Sequence, residues 1–165
     1  DGMFYRNKTV MVVGGGNTAA ADALLLSRIA KKVILVHRRD TLRATKIYHE
    51  PIQNAENIHF LGSHAVTKLL HAEKLTGVLV RDLKTGREQE LEADGLFVSI
   101  GRRPAVELVR QQLALEGDYI KADETTQTNI PGVYAVGDVR TKLLRQIVTA
   151  VADGAMAVHM AQEYI

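Results

Sequence analysis

The sequence has no cysteine and no tryptophan, and aromatic residues make up only 5% of its 165 positions. Without cysteine the chain itself can form no disulfide, no thiolate metal site and no redox dithiol. Its longest stretches without a charged residue, at positions 9–21 and 125–137, have 13 residues each, whereas a helix that spans a bilayer needs about 20. The sequence therefore predicts no transmembrane helix and no membrane partner, and any thiol chemistry must come from outside these residues.

An excess of charge of one sign is also lacking, because 21 Lys and Arg residues oppose 19 Asp and Glu residues for a net charge of +2. This balance predicts no basic surface for nucleic acid, and the few aromatic side chains offer few platforms for stacked bases. The six histidines show no metal-ligand spacing, and no serine lies in a G-x-S-x-G setting. Nucleic acid, a metal site and a hydrolase are therefore not predicted.

The first 36 residues have the pattern of a βαβ unit. A β-branched run at residues 8–13 ends in three glycines, a helical pattern of apolar residues follows at 17–30, and residues 33–36 are continuously apolar. A run that is apolar on both faces is typical of a buried strand in a parallel sheet. The unit therefore predicts an α/β fold, a Rossmann-like three-layer nucleotide-binding domain.

The rest of the chain predicts a β-meander and a second section that begins near residues 101–104. Further helices are predicted at residues 40–48 (ended or kinked by Pro51), 105–112 and 145–164. Further strands are predicted at residues 58–61, 96–100, 119–121 and 133–136, and the antiparallel meander at residues 66–70, 77–82 and 88–91.

The glycines after the first strand form a G-x-G-x-x-A turn at residues 14–19. In such a turn Gly14 permits a tight bend, Gly16 lets a pyrophosphate approach the backbone, and the small Ala19 lets helix pack on strand. Asn17 and Thr18 open the helix, whose N-terminus attracts phosphate. Because strand, helix and second strand surround the turn, it predicts a dinucleotide site.

The end of the second predicted strand indicates which dinucleotide binds. NAD-specific folds place a carboxylate there for the ribose 2′-hydroxyl, but this chain has His37-Arg38-Arg39. Two guanidinium groups can hold a 2′-phosphate, at about 1.5–3 kcal/mol for each charge-assisted hydrogen bond. The sequence therefore predicts NADP(H), favoured over NAD(H) by roughly two to four orders of magnitude.

Taken in order, the motifs resemble those of bacterial low-molecular-weight thioredoxin reductases, and the resemblance covers the whole chain. The motifs that carry it are Asp1-Gly2, the turn at residues 14–19, His37-Arg38-Arg39-Asp40 with Arg43-Ala44, and T-N-I-P-G-V-Y-A-V-G-D at residues 128–138. It implies an NADPH domain at residues 1–100 and, at 101–165, the second segment of a split FAD domain whose first segment the chain lacks. It also implies NADPH-dependent reduction of thioredoxin through FAD and a redox-active disulfide.

The resemblance further implies roles for individual residues. Asp138 would bind the flavin ribityl chain, and Arg145 and Gln146 would open the last helix beside the flavin ring. Asp1 would be the acid next to the disulfide, donating a proton to the thiolate leaving group. The implied contacts to NADP(H) are Gly14, Gly16, Asn17, Thr18, Ala19, His37, Arg38, Arg39 and Arg43, and those to FAD are Gly137, Asp138, Val139, Arg145, Gln146 and Ile147.

The sequence leaves the activity of this chain open. It has no second glycine fingerprint and begins at Asp1 rather than Met, so we expect a C-terminal part of a longer enzyme, with C-x-x-C just before Asp1. A homodimer and a cytoplasmic location are expected for the complete enzyme. One alternative is a cysteine-free ferredoxin- or flavodoxin-NADP reductase-like flavoprotein, and another is a non-catalytic NADP(H)-binding module.

Overall fold

A parallel sheet of four strands organises the first part of the chain. The computed structural model describes all 165 residues and divides them into two units, Asp1–Gly101 and Arg102–Ile165. The elements of the first unit are β1 (Thr9–Val13), α1 (Asn17–Ser27), β2 (Lys32–His37), α2 (His49–Asn54), β3 (Ile58–Gly62), β4 (His64–His71), β5 (Leu75–Asp82), β6 (Glu88–Glu92) and β7 (Gly95–Val98). The parallel sheet has the order β3-β2-β1-β7.

Both faces of this sheet are covered, which explains why residues 10–13 and 33–36 of its two central strands are all apolar. Val10 and Val12 of β1 pack with α1 on one face, whereas Met11 faces the opposite side with Val78 and Val80 of β5. Strands β4, β5 and β6 form a separate antiparallel sheet over that second face. The three layers are thus helices, parallel sheet and meander, and the predicted βαβ unit and meander are confirmed.

The helix predicted at residues 40–48 is wrong. Residues 40–45 are irregular, Lys46–Tyr48 form a single 3₁₀ turn, and α2 begins only at His49. The backbone N–H groups of residues 43–45 are used by the glycine turn, as described below, and are not available for helical hydrogen bonds. Pro51 neither ends nor kinks a helix but lies in the first turn of α2, where its missing N–H costs nothing.

The first helix is also shorter than predicted, since α1 ends at Ser27 rather than at residue 30. The amides of Arg28 and Ile29 bond three residues back, which tightens the last turn. The side chain of Asn57 donates to the carbonyl oxygens of Ser27 and Ala30 at 2.8 and 3.2 Å. A distant side chain therefore satisfies the carbonyls that the end of the helix leaves free.

The second unit has little regular structure before its final helix. It contains a hairpin of β8 (Leu115–Glu116) and β9 (Tyr119–Ile120), a 3₁₀ turn at Gly137–Val139, and α3 (Ile147–Tyr164). Its apolar core includes Val106, Ile120 and Ala135. No helix of the structure combines the length and apolar character needed to cross a membrane.

Two predicted elements of the second unit are wrong. Residues 105–112 form turns with bonds three residues back, such as Gln112 N–H to Val109 O, instead of a helix. A segment this short gains too few bonds to offset helix nucleation. Residues 133–136 form one isolated bridge, from Tyr134 to Gln127, and the partner segment leaves the extended conformation at Thr126, whose φ is +64°.

Candidate functional site

The glycine turn lies at the carboxyl end of β1 and has no room for larger residues at its start. Gly14 has a φ of +150°, and a Cβ there would collide with the carbonyl oxygen of Ser99 and lie 2.8 Å from the Cβ of Ala19. Gly16 precedes α1, and a Cβ there would meet nothing within 4 Å. The turn is thus closed on the protein side at Gly14 and open at the helix N-terminus, where a phosphate can approach the backbone.

His37 lies directly against the middle glycine of the turn. A Cβ on Gly15 would overlap the imidazole ring. The ring is 5% exposed, and its Nε2 atom is buried without a hydrogen-bond partner. Burial lowers the pKa of His37 below its ordinary value of 6.5, and the positive charges of Arg43, Arg38 and Arg39 lower it further. His37 is therefore a neutral packing group beneath the turn at pH 7.

The segment after β2 folds back onto the same turn. The N–H groups of Arg43 and Ala44 donate to the carbonyl oxygen of Gly15 at 2.7 and 2.9 Å. The N–H of Thr45 donates to Oδ1 of Asn17 at 2.8 Å. These bonds hold the backbone of Arg43 beside the glycine turn. Thr18 is exposed beside Asn17 in the first turn of α1.

Three arginines stand exposed around this turn without carboxylate partners. Arg38 and Arg39 directly follow β2, and Arg43 lies on the segment tied to Gly15. None of the three forms an ion pair within the chain. Unpaired guanidinium groups beside a helix N-terminus form a local surface suited to a phosphate ester.

Asp40, which follows Arg39 directly, is paired with a lysine of the meander. Asp40 Oδ1 lies 2.6 Å from Nζ of Lys84, on the turn between β5 and β6, and accepts a hydrogen bond from Ser63. Contacts with Lys84 and Ser63 lower the pKa of the Asp40 carboxyl. The charge of Asp40, which would oppose a phosphate, is therefore balanced by a lysine far away in the sequence.

The second unit presents a carboxylate on a short turn. Gly137, with a φ of +75°, starts the 3₁₀ turn Gly137–Val139. Asp138 within it is exposed, whereas Val139 is half-buried. A free carboxylate on a fixed turn can accept hydrogen bonds from the hydroxyl groups of a ligand.

A buried ionic cluster lies behind this turn. Both oxygens of Asp153 accept from Arg140, at 2.9 Å from Nε and 2.7 Å from Nη2. Oδ2 also accepts from Nζ of Lys142 at 2.6 Å and from the N–H of Gly137 at 2.8 Å. Side-chain exposure is 4% for Arg140, 7% for Asp153 and 8% for Lys142. The hydrogen bond from Arg140 is the main reason that the pKa of Asp153 lies far below its ordinary value.

The start of α3 combines a capped helix end with an arginine that packs inward. Gln146 is the N-cap and forms a reciprocal capping box with Thr149, and Ile147 is 86% exposed. The guanidinium carbon of Arg145 lies 3.8 Å from the centre of the Tyr119 ring. Arg145 is thus held by the protein, while Gln146 and Ile147 face solvent.

Asp1 is exposed at the beginning of the first unit. Its carbonyl oxygen accepts the N–H of Phe4 at 3.1 Å, but its side chain caps nothing in the short 3₁₀ turn Gly2–Tyr5. The carboxylate is therefore available, and the structure brings no other chemical group to it.

The comparison with known proteins identifies the family of this chain. The family model described as "Pyridine nucleotide-disulphide oxidoreductase" matches residues 3–154. The chain belongs to this family. Membership implies nicotinamide and flavin cofactors, and the glycine turn with its arginines fits the first of these.

Several members of the family are similar over the whole of this chain. It is 42% identical to a thioredoxin reductase of Streptomyces clavuligerus over 100% of this chain and 52% of the relative. It is 39% identical to a "34.2 kDa protein in rubredoxin operon" of Clostridium pasteurianum, over 100% of this chain and 54% of the relative. The chain thus spans about half the length of the curated relatives it matches.

A solved structure of the family has the same fold. The crystal structure of Lactococcus lactis thioredoxin reductase matches with a TM-score of 0.82 and 38% identity, covering 99% of this chain and 55% of that one. These matches confirm the resemblance to thioredoxin reductases and the Rossmann-like α/β fold. The structure brings Gly14, Gly16, Asn17 and the arginines together around one turn.

Sequence reasoning missed Lys84 and the pair Arg140–Asp153. Lys84 gives no local signal, since it reaches Asp40 only through the folded meander. Asp153 does give one, because it is the single Asp, Glu, Lys or Arg residue between positions 147 and 162 of an otherwise apolar helix. A lone charge in such a setting indicates a buried ionic partner.

Proposed function

We propose that this chain comprises the NADPH domain, residues 1–100, and the second FAD-domain segment, residues 101–165, of a thioredoxin-disulfide reductase. The substrate class is a protein disulfide of the thioredoxin type, and the complete enzyme is proposed to be a cytoplasmic homodimer. The chain contains no cysteine, so the activity is proposed for the complete gene product and not for these residues alone.

The observation that carries the proposal is the glycine turn with Arg38, Arg39 and Arg43 around it. The open helix N-terminus at Gly16 suits a pyrophosphate, and the unpaired guanidinium groups suit a 2′-phosphate. Asp40 is paired with Lys84, which limits its repulsion of that phosphate. The first unit would therefore hold NADPH rather than NADH.

The residues of the second unit would hold part of the flavin. Asp138 offers a free carboxylate to ribityl hydroxyl groups, Gly137 and Val139 shape the turn that carries it, and the N-terminus of α3 supports negative charge on a reduced flavin. The chemistry that the cofactors supply when bound is hydride transfer from nicotinamide to flavin and transfer of two electrons to a disulfide. Asp1 would donate a proton to the thiolate leaving group.

The proposal is tested by NADPH-driven reduction of thioredoxin in the complete gene product. We expect the double variant R38Q/R39Q to raise KM for NADPH by roughly two to four orders of magnitude, since about two charge-assisted hydrogen bonds are lost, with little change for NADH. The matched control K31Q/K32Q removes the same charge at the opposite end of β2. Unchanged KM for NADPH in R38Q/R39Q would overturn the assignment of the 2′-phosphate site.

The two alternative functions give different results in the same assay. A ferredoxin- or flavodoxin-NADP reductase-like enzyme would bleach its flavin with NADPH but leave thioredoxin oxidised. A non-catalytic module would bind NADP(H) with no flavin reduction at all.

A further inference from the structure

The carboxylate of Asp153 holds the turn that carries Asp138 at both of its ends. The N–H of Gly137, at the start of the turn, donates to Oδ2 of Asp153 at 2.8 Å. The side chain of Arg140, the residue that closes the turn, donates to both oxygens. Asp138 lies between these two attachments and is left exposed.

The cluster also fixes the segment that leads from this turn to α3. Nζ of Lys142 donates to Asp153 and, at 3.2 Å, to the carbonyl oxygen of Thr149 in the first turn of α3. Nη1 of Arg140 donates to the carbonyl oxygens of Asp123 and Thr141 at 3.2 and 3.0 Å. Asp153, the seventh residue of α3, thus connects this helix to Gly137, Arg140 and Lys142 through one buried carboxylate.

A contribution to folding stability does not by itself explain why these three charged side chains are buried together. Burying charged groups has a large desolvation cost, and well-packed apolar residues of similar volume are often as stabilising as a buried ion pair. A cluster that satisfies a backbone N–H and an arginine fork at fixed angles does supply precise orientation. The group that gains from this orientation is the free carboxylate of Asp138.

We propose that Asp153 is a positioning residue for flavin binding, acting through Gly137 and Arg140 to hold the Asp138 carboxylate where it accepts hydrogen bonds from the ligand's polyol chain. This inference rests on the proposed function, because it takes Asp138 to be a contact to FAD. Beyond the proposed FAD contacts, it assigns a role to Asp153, a buried residue of α3 that would not itself contact the cofactor.

The first test compares FAD binding by the complete gene product carrying Asp153→Asn with that of the wild type. The variant leaves Arg140 and Lys142 without a buried counter-charge. We expect the FAD dissociation constant to rise by about ten- to a hundredfold, the size of the loss in metal affinity when a residue that orients a metal ligand is removed. Glu163→Gln, at an exposed position of the same helix, is the matched control. NADP(H) binding is expected to be unchanged in both variants.

A second variant separates orientation from stability. The triple change R140M/K142M/D153L replaces the ionic cluster by apolar side chains, which often leaves stability equal or higher. We expect this protein to remain folded, although the N–H of Gly137 loses its acceptor, and to bind FAD more weakly than the wild type does. Wild-type FAD affinity in this folded variant would overturn the inference.

Coupling to Asp138 supplies a readout that a merely structural role would not change. If Asp153 acts through Asp138, the effects of Asp138→Asn and Asp153→Asn on FAD affinity are not additive, because the second change removes little once the first is present. Fully additive effects would contradict the inference. A wild-type product that binds no FAD would instead contradict the proposed function, so the two failures are distinguishable.

Discussion

At the residue scale, the position of His37 requires glycine at position 15. Gly15 has no positive φ that would require glycine, but its missing side chain makes room for the imidazole of His37. The glycine turn is therefore shaped by the strand beside it as well as by the ligand it would bind.

This packing predicts that Gly15→Ala destabilises the chain by about 1–3 kcal/mol, the usual cost of overfilling a packed site. In an His37→Ala background the same change is expected to cost much less, because the added methyl group then has space. Urea unfolding of the two single variants and the double variant measures this coupling. Equal costs of Gly15→Ala in both backgrounds would show that the two residues do not compete for space.

The lowered pKa of His37 predicts a pH dependence of stability. Because the folded-state pKa lies below the ordinary value of 6.5, the unfolded chain binds more protons than the folded chain just below that pH. Stability should therefore fall as pH falls through 6.5, by up to about 1.4 kcal/mol per pH unit. Thermal unfolding across this range should show a flatter profile for His37→Asn. An identical slope in the variant would exclude His37 as the source.

At the scale of elements, the meander reaches the proposed NADP(H) site through Lys84, which lies on the turn between β5 and β6. Lys84 and Asp40 are 63% and 62% exposed, so their ion pair adds little to stability. Its consequence is electrostatic, since it brings a fourth positive charge to the region of Arg38, Arg39 and Arg43.

We expect Lys84→Ala to weaken NADP⁺ binding by about two- to fivefold, in line with the small energies of exposed pairs, with less effect on NAD⁺. Adding Asp40→Asn should restore much of the loss, because the uncompensated carboxylate is then removed. Fluorescence titration measures both constants, and Lys74→Ala, at the other turn of the meander, is the control. A loss of equal size in Lys74→Ala would indicate general charge rather than this pair.

The elements differ in how far sequence predicts them. The strands β1 and β2 and the meander were predictable because their patterns are local and agree with burial on both faces of the sheet. The segment 40–45 was not, since its amides bond to Gly15 and Asn17, and no local pattern contains that information. The glycine turn and its arginines follow from sequence, whereas Lys84 and the cluster around Asp153 depend on tertiary contacts.

At the scale of the whole molecule, the chain divides into two units whose apolar cores differ in size. The first has its own three-layer core. The second has a small apolar core and a final helix in which Asp153 is the single buried residue.

This division predicts that the 165-residue chain binds NADP(H) but retains no FAD after purification, and that it reduces no disulfide, because it has one glycine fingerprint and no cysteine. Absorbance spectra before and after incubation with FAD and gel filtration test the first point. A chain that retained a stoichiometric flavin would show that the second unit is sufficient for FAD.

The most direct test of the account is a calorimetric titration of this chain with NADP⁺ and with NAD⁺ under the same conditions. We expect NADP⁺ to bind more tightly by roughly two to four orders of magnitude, through contacts of Arg38 and Arg39 with the 2′-phosphate. Equal affinities, or tighter binding of NAD⁺, would contradict the assignment of this site.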